Sequence, residues 1–503
     1  MILNQFGQPA TIPSRFAHAA DRSQVRGPQY WTQSASIDKL IPPTDRKTLV
    51  SLSQRLYVNQ GIVGATIDQK AEYSVGDAFL PEYGGQDEEA GNQVESWLRN
   101  AWFPNCDIRG GVHDWHQLLI NASIAVDHGD SFTLLTETNE GGFPMLQNIA
   151  SYRVRSGGYG EFTTVSDGQF KGARIHDGII YNRNGRAIAY RVYGEDNTAG
   201  KDEYQDVPAR SMVHLYNPRF PGQGRGLPSF VRGLEDLKHC LQSTEDERRR
   251  QAIISGLGLI VTNEIGGPDL GDPAYALGSG DGCEPSKSVY ENTAGVYYLT
   301  ANQGEKLEQI KHDSPGELYE SFHDRMIRMA LIGSGWAYSL VWKPAGQGTA
   351  ERAEVLRARR AVAARQNLLR YLARRAVSYA VAYGIENELI PRIQSPMLWG
   401  FSKPPRLSVD DGREASAMRD DFRMGAINLA DIHEANGTSE EKHLKTRLAT
   451  LKRQKIAMME ANKELEALGA APIESREIVM LTANEMSQTN QQTSTNDNNS
   501  ANN

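Results

Sequence analysis

The sequence predicts an α+β chain in which a β-rich block sits inside a largely helical polypeptide. Three observations carry this reading. Between residues 131 and 216 the apolar period drops toward two, and Asn182-Arg183-Asn184-Gly185 separates two apolar runs. Asn-Gly between such runs is a strong hairpin signal, because both turn residues are expected to take positive φ. On either side of the block, apolar residues recur every three or four positions, as on one face of a helix. Finally, two helical segments bracket a short α/β insert, so the chain makes a hairpin-like excursion out of its main body.

The elements follow in order. Residues 1–44 carry Pro9, Pro13, Pro28, Pro42 and Pro43 with little periodicity and read as an extended arm. From Asp45 to Val75, Leu49, Leu52, Leu56, Ile62, Val63 and Ile67 mark a helix that Gly61 or Gly64 breaks in two. Amphipathic helices are expected over about Gln93–Trp102 and Val112–Asp127. Strands follow at Ser131–Thr136, Gly178–Tyr181, Arg186–Tyr193 and Met212–Tyr216. Pro218 to Gly226 is too rich in Pro and Gly for a helix and marks a boundary. Pro228, suited to a first helical turn, opens a helix over 228–255. Short strands at Leu257–Thr262, Val296–Thr300 and Lys306–Ile310 surround a Gly/Pro/Asp-rich loop, 264–288. Ser314-Pro315-Gly316-Glu317 is a capping box for a helix to Ile332. After a Gly- and aromatic-rich loop, 333–350, a long helix runs from Glu351 to Ala382. Residues 411–468 return to helix, with Gly425 and Gly437 as C-caps and Thr438 with Glu441 as a capping box. There Leu444, Leu451, Met458 and Leu465 recur every seventh residue, helped by Leu448 and Leu468, as in a packed seam. The Asn/Gln/Ser/Thr-rich tail, 486–503, reads as disordered.

Composition narrows the function. With 503 residues, 39% hydrophobic and 23% charged, the chain can build a large core. No apolar run approaches the ~18 residues of a membrane span, and the N-terminal segment lacks a signal-peptide pattern. Cys106, Cys240 and Cys283 lie too far apart for a thiolate cluster and give no disulfide framework, so a reducing compartment fits. The net charge of −8 disfavours tight DNA binding, which depends on neutralising phosphates. Against that background one helix stands out. Arg352, Arg357, Arg359, Arg360, Arg365, Arg370, Arg374 and Arg375 face only Glu351 and Glu354. Two readings stay open: the arginines pair with acids of a neighbouring subunit or of the remaining chain, or they face a phosphate backbone. In the loop before them, Trp336, Tyr338 and Trp342 read as packing anchors, and Lys343, Gln347 and Thr349 could touch phosphates non-specifically.

Catalytic patterns are missing. There is no Walker A sequence, no Gly-x-Gly-x-x-Gly after a strand and no Gly-x-Ser-x-Gly elbow. His113-x-x-His116 falls on an expected helix but has no third ligand. Asp410-Asp411 and Asp420-Asp421 sit in polar contexts and read as solvated acids rather than as a two-metal site. No catalytic, cofactor-binding or metal residue is assigned.

The run Val213-His214-Leu215-Tyr216, then Pro221-Gly222-Gln223-Gly224-Arg225-Gly226-Leu227-Pro228-Ser229, then a long charged helix, resembles the bacteriophage portal proteins of the lambda family. Arg46 to Gly76, the hairpin Asp177-Gly178-Ile179 with Gly185 to Tyr190, Trp336 to Leu340 with Thr349 to Arg352, and Gly425 to Gly437 resemble further family segments in the same order. The hairpin departs from the family pattern, with Ile179-Ile180 in place of an acidic residue, and the "Tyr-Ser-Ser" part after the second stem helix is altered. The resemblance spans about 45–470.

That resemblance implies a portal-like subunit with an α/β wing, a two-helix stem, a small α/β clip and a helical crown. The wing would be 45–225 plus 383–410, the stem 226–255 and 314–332, and the clip 256–313. The tunnel loop and Arg-rich helix would be 333–382 and the crown 411–485. It implies a ring of about twelve subunits at one capsid vertex of the virion, assembled in the host cytoplasm and open to double-stranded DNA. The terminase large subunit, major capsid or scaffold proteins, and head-completion or tail proteins would be its partners, with no membrane involved. Lys343, Gln347, Thr349 and Arg352 would be the DNA-facing set. Arg357, Arg360 and Arg365 would serve subunit contacts or the channel, and His214, Gly222, Gln223, Arg225 and Gly226 would form the signature before the stem. The rival expectations are a DNA-processing nuclease and a capsid adaptor that forms no ring.

Overall fold

The computed structural model describes residues 37–138, 142–156, 163–194, 203–256, 260–263, 305–308, 317–342, 348–408, 411–438 and 440–467. The chain divides into two units, Met1–Gly76 with Gly85–Trp399, and Asp77–Gly84 with Gly400–Asn503.

In the larger unit the end of the expected arm is already structured. Ile37–Leu40 forms a helical turn, α1, and Ile37 and Ile41 are buried beside Leu49 and Val63. Helices α2 (Pro43–Asn59) and α3 (Gly61–Val75) are separated at Gln60, whose backbone is extended. Helix α4 begins at Glu88, earlier than expected, and ends at Trp97. The chain then widens into a π-turn, Leu98–Trp102, which lets the buried Trp102 indole donate to the Pro144 carbonyl at 2.9 Å. Helix α5 (Trp115–Asp127) is capped by Asp114, which accepts from Gln117 N at 2.8 Å. His113 therefore precedes the helix, and only His116 lies on it.

The β-rich block forms two antiparallel sheets. In the first, β2 (Asp130–Glu137) lies between β3 (Pro144–Ile149) and β9 (Met212–Tyr216). The second runs β4 (Thr163–Thr164), β5 (Arg174–His176), β6 (Ile179–Tyr181), β7 (Ala187–Tyr193) and β8 (Tyr204–Pro208). Phe132, Ile149, Val154, Ile179, Tyr190 and Met212 join the two sheets in one core. The β6–β7 hairpin lies where the sequence places it, but its turn differs. Among its turn residues only Gly185 has positive φ (77°), and the register slips between Ile180↔Ala189 and Tyr181↔Ala187. Asn182 Oδ1 accepts from the amides of Asn184 (3.0 Å) and Arg186 (2.9 Å). The side chain thus closes the loop as a bulged turn, and the second positive-φ residue is not needed.

After a 3₁₀ turn, Ser229–Arg232, α6 spans Leu234–Gly256, so the helix starts later than Pro228. At this junction Gly233 allows a close crossing, since a Cβ there would lie 2.6 Å from the Ala330 carbonyl of α7 (Glu317–Ser334). Leu234, Leu237 and Cys240 of α6 bury against Met326, Ile327, Ala330 and Leu331 of α7. Beyond α6, β10 (Ile260–Asn263) pairs antiparallel with β11 (Glu305–Glu308). The Val296–Thr300 strand and Ser314 lie outside the described residues. The long helix α8 spans Gly348–Glu386, and its buried row Val355, Val362, Leu369, Ala373, Val377 and Val381 faces the body.

The smaller unit pairs β1 (Pro81–Tyr83) with β12 (Trp399–Phe401) and carries α9 (Asp411–Arg423), α10 (Leu429–Ala435) and α11 (Glu440–Ala467). Gly425 and Gly437 end α9 and α10 with φ of 72° each, as the cap reading requires. The Thr438 hydroxyl donates back to the His433 carbonyl at 3.2 Å, and the side chain of Glu441, its expected capping-box partner, lies outside the described residues. The heptad residue Leu444 is 54% exposed and its neighbour Leu448 50%, whereas Leu451, Met458 and Leu465 are half-buried among the described residues. Leu468 lies outside the described residues.

Candidate functional site

The signature segment folds into a buried ionic clamp. Its center is Arg225, which is 6% exposed and meets three parts of the β-rich block at once. The guanidinium donates to both oxygens of Asp130, at 2.5 and 3.2 Å. It also reaches the carbonyls of Val154 (2.8 Å), Asp177 (2.6 Å) and Ser151 (3.2 Å) and the Ser151 hydroxyl (2.9 Å). Arg46 of α2 completes the cluster by donating to both Asp177 oxygens, at 2.5 and 3.1 Å. Two buried arginines thus face two buried aspartates, and the planar fork of arginine suits this many partners.

The local sequence shapes the clamp. Gln223 folds the glycine-rich loop on itself: Oε1 accepts from the amides of Arg219 (2.8 Å) and Phe220 (3.3 Å), and Nε2 donates to Arg225 O (2.8 Å). Gly222 turns the loop with φ of 78°. Gly226 lets the backbones touch, since a Cβ there would fall 1.8 Å from the Gly129 carbonyl. The His214 ring stacks on Phe132 with centroids 4.2 Å apart. Its Nε2 lies 3.5 Å from Asp130 Oδ2, at the outer edge of a hydrogen bond. The structure therefore brings His214, Gly222, Gln223, Arg225 and Gly226 together.

Electrostatics match the geometry. Burial pushes the Asp130 carboxyl up, but Arg225, the His214 contact and Arg46 outweigh it and hold it well below the ordinary range. Asp177 is lowered the same way, burial being overcome by Arg225 and Arg46. Burial lowers His214 in spite of Asp130. The acids stay ionised and the imidazole neutral at neutral pH. All three guanidinium nitrogens of Arg225 donate to the protein itself. The arrangement fixes segments in place.

A second buried cluster forms around Asp127, the last residue of α5. Arg365 of α8 donates to Asp127 Oδ1 at 2.8 Å and to the Ser123 carbonyl at 2.6 Å, and Lys70 reaches the same Oδ1 at 2.9 Å. This corrects the expectation for Arg365. Its side chain is 4% exposed, so it faces neither a neighbour nor a channel but ties α8 to α5 inside the subunit. Arg375 likewise donates to the Arg210 carbonyl at 2.6 Å. Arg357 is 45% exposed and paired with Glu354 at 2.8 Å. Arg360, Thr349 and Arg352 are exposed on α8. Lys343 and Gln347 lie outside the described residues.

The sequence reading missed Asp130, Asp177, Arg46, Asp127 and Lys70, all partners distant in sequence. A signal existed in Asp127-His128-Gly129-Asp130, which places two acids between an apolar helix and an apolar strand, where unpaired charge is costly. Among the described residues no three His, Cys, Asp or Glu side chains converge to hold a metal, and no helix is long and apolar enough to cross a membrane.

No curated protein matches the chain significantly. Among solved structures, the chain is similar to the neck of a native gene transfer agent particle computed with C12 symmetry, at 13% identity and a TM-score of 0.43, over 78% of this chain and 94% of that one. A chain from the virion of the native gene transfer agent particle matches at 12% identity and a TM-score of 0.39, over 78% of this chain and 93% of that one. An HK97-family phage portal protein from Corynebacterium diphtheriae matches at 9% identity and a TM-score of 0.29, over 64% of this chain and 88% of that one. The sequence model described as phage portal protein, lambda family, matches residues 26–366, a stretch that contains the clamp, the α6–α7 pair and the first half of α8. The chain belongs to the lambda family of phage portal proteins.

Proposed function

We propose that this chain is the subunit of a ring-shaped channel at one capsid vertex, through which double-stranded DNA enters and leaves the head. The wing is assigned to 45–225 and 383–410, the stem to 226–255 and 314–332, and the clip to 256–313. The tunnel loop and following helix are assigned to 333–382 and the crown to 411–485. The terminase motor docks on the clip during packaging, and head-completion or tail proteins replace it there. Capsid or scaffold proteins surround the ring, which is built in the host cytoplasm and retained in the virion. The subunit supplies shape and hydrolyses nothing.

The observation that carries this reading, besides family membership, is the nested pairing of the excursion. Gly233 meets Ala330, Thr244 Oγ1 contacts His323 Nε2 at 3.0 Å, and Ile260 pairs with Glu308. As one position rises its partner falls, which is a long antiparallel hairpin built to project. The 23 residues of α6 give it about 34 Å of reach at ~1.5 Å per residue. Outward on α7, Phe322, Met329 and Ile332 are 54%, 47% and 51% exposed, an apolar stripe that a neighbouring copy would cover. The charge balance fits a sliding passage: about twelve copies at −8 each sum to roughly −96, which resists static phosphate binding.

Electron microscopy of the purified full chain tests the proposal. Rings with a central opening are the expected result. Stable monomers or dimers at micromolar concentration would favour the ringless adaptor, and metal-dependent cleavage of plasmid DNA would favour the nuclease.

A further inference from the structure

We infer that the corner between α10 and α11 binds a divalent transition-metal ion through two protein ligands, His433 and His443. This rests on neither ring assembly nor passage of DNA. The chain folds back at Gly437, and the Thr438 amide donates to the His433 carbonyl at 2.8 Å, closing the end of α10. The turn brings together two histidines ten positions apart, their ring centroids 4.6 Å apart and their planes tilted by 40°.

The hydroxyl of Thr438 decides which nitrogen of His433 is available. It lies 3.2 Å from the His433 carbonyl, to which it donates, and 3.0 Å from His433 Nδ1. A hydroxyl has a single proton. With that proton on the carbonyl, the oxygen can only accept from the ring, so Nδ1 carries the hydrogen and Nε2 keeps its lone pair. Metal-binding histidines are commonly prepared this way, one nitrogen held by an oxygen partner and the other free to coordinate.

Spacing agrees with a shared ion. A metal ~2.1 Å from each coordinating nitrogen lies roughly 3 Å from each ring center, and two rings at a right-angled or tetrahedral opening are then about 4.5–5 Å apart. His443 is exposed and His433 half-buried, so water fills the remaining positions. Two imidazole nitrogens select zinc, nickel or copper over magnesium or calcium. The bound ion would staple α10 to α11.

The test is calorimetric titration of zinc chloride into the full chain, freed of any affinity tag, at neutral pH. One zinc per chain is expected at this corner. His443→Gln and His433→Gln should each weaken it at least about tenfold, and Thr438→Val, which keeps both ligands but releases the tautomer, about 10- to 100-fold. Hydrogen exchange across residues 429–467 should slow with zinc in the parent chain and stay unchanged in His443→Gln, whose circular dichroism should match the parent. Zinc binding that survives His443→Gln, or no binding at all, overturns the site. Full affinity in Thr438→Val overturns the assigned role of the threonine.

Discussion

Removing Arg225 should cost more stability than any exposed arginine of the chain. Arg225→Ala strands Asp130, whose side chain is 0% exposed, leaves Asp177 to Arg46 alone, and takes a donor from the Val154, Asp177 and Ser151 carbonyls. Breaking a buried ion pair from one side costs about 3–5 kcal/mol, because the remaining charge stays buried. For a chain of 503 residues that is roughly 3–5 °C in melting temperature. Arg225→Lys should recover part of the loss, since an ammonium keeps the charge but cannot span partners on opposite sides. The assay is urea unfolding at fixed protein concentration, with sedimentation confirming equal assembly state, because subunit association adds stability by mass action.

The pH dependence gives a second arm. Both aspartates are held below the ordinary carboxylate value, so their contribution is present above about pH 4 and fades as pH falls through the folded-state values. The parent chain should therefore lose stability toward pH 3 faster than Arg225→Ala, and the two curves should converge. A penalty under about 1 kcal/mol at pH 7, or a gap that does not narrow in acid, would refute the clamp.

Three further outcomes are expected. Arg365→Ala should destabilise the isolated subunit by about 3–5 kcal/mol, whereas Arg357→Glu with Arg360→Glu should shift its urea midpoint by under ~0.5 kcal/mol yet abolish rings in sedimentation, as expected of subunit contacts. Rings that form and fail only in packaging would assign that pair to the channel. Gly226→Ala should yield little soluble protein, because its Cβ would collide with the Gly129 carbonyl, while Gly222→Ala, with nothing within 4 Å, should cost only about 1 kcal/mol in urea for its positive φ. Lys343→Ala with Gln347→Ala should lower the yield of packaged DNA without dissolving rings, and an unchanged yield would count against a DNA-facing loop.

Legibility in the sequence followed the range of the forces involved. Helices α5, α7 and α8 were readable because burying one face imposes a local period, and β9 was found with the observed ends, Met212–Tyr216. The short strands β4 and β5 were not, because strands of two and three residues carry too few alternations to show a period. The close crossing of Gly233 and Ala330 was not readable either, because the two lie about a hundred residues apart. The arginine helix shows the same limit within one element. Sequence displays eight arginines as a single charged band, and only the partners Asp127 and the Arg210 carbonyl separate those that hold the subunit together from those left on its surface. The signature was readable as a motif but not as a clamp, since Asp130, Asp177 and Arg46 lie tens of residues or more from Arg225.

The position of the clamp explains why a structural motif stands just ahead of the helical hairpin. From Asn217 to Pro228 the chain has no helix or strand, so no ladder of backbone hydrogen bonds sets its direction. Gln223 and Arg225 take over that task, the one closing the loop through its amide and the other bolting it to β2 and to the segments around Val154 and Asp177. Phe230, buried with Leu49 and Leu331, then delivers the chain to α6. Burying two aspartates and two arginines is an expensive way to gain stability, and apolar residues would serve as well for that alone. What an apolar cluster lacks is direction: a guanidinium with six partners tolerates only one placement of each. Any angular error at the root of the α6–α7 hairpin grows along its length, about 34 Å for the 23 residues of α6. The ionic clamp is best understood as fixing that angle, and Arg225→Ala should therefore misdirect the hairpin even where the subunit still folds.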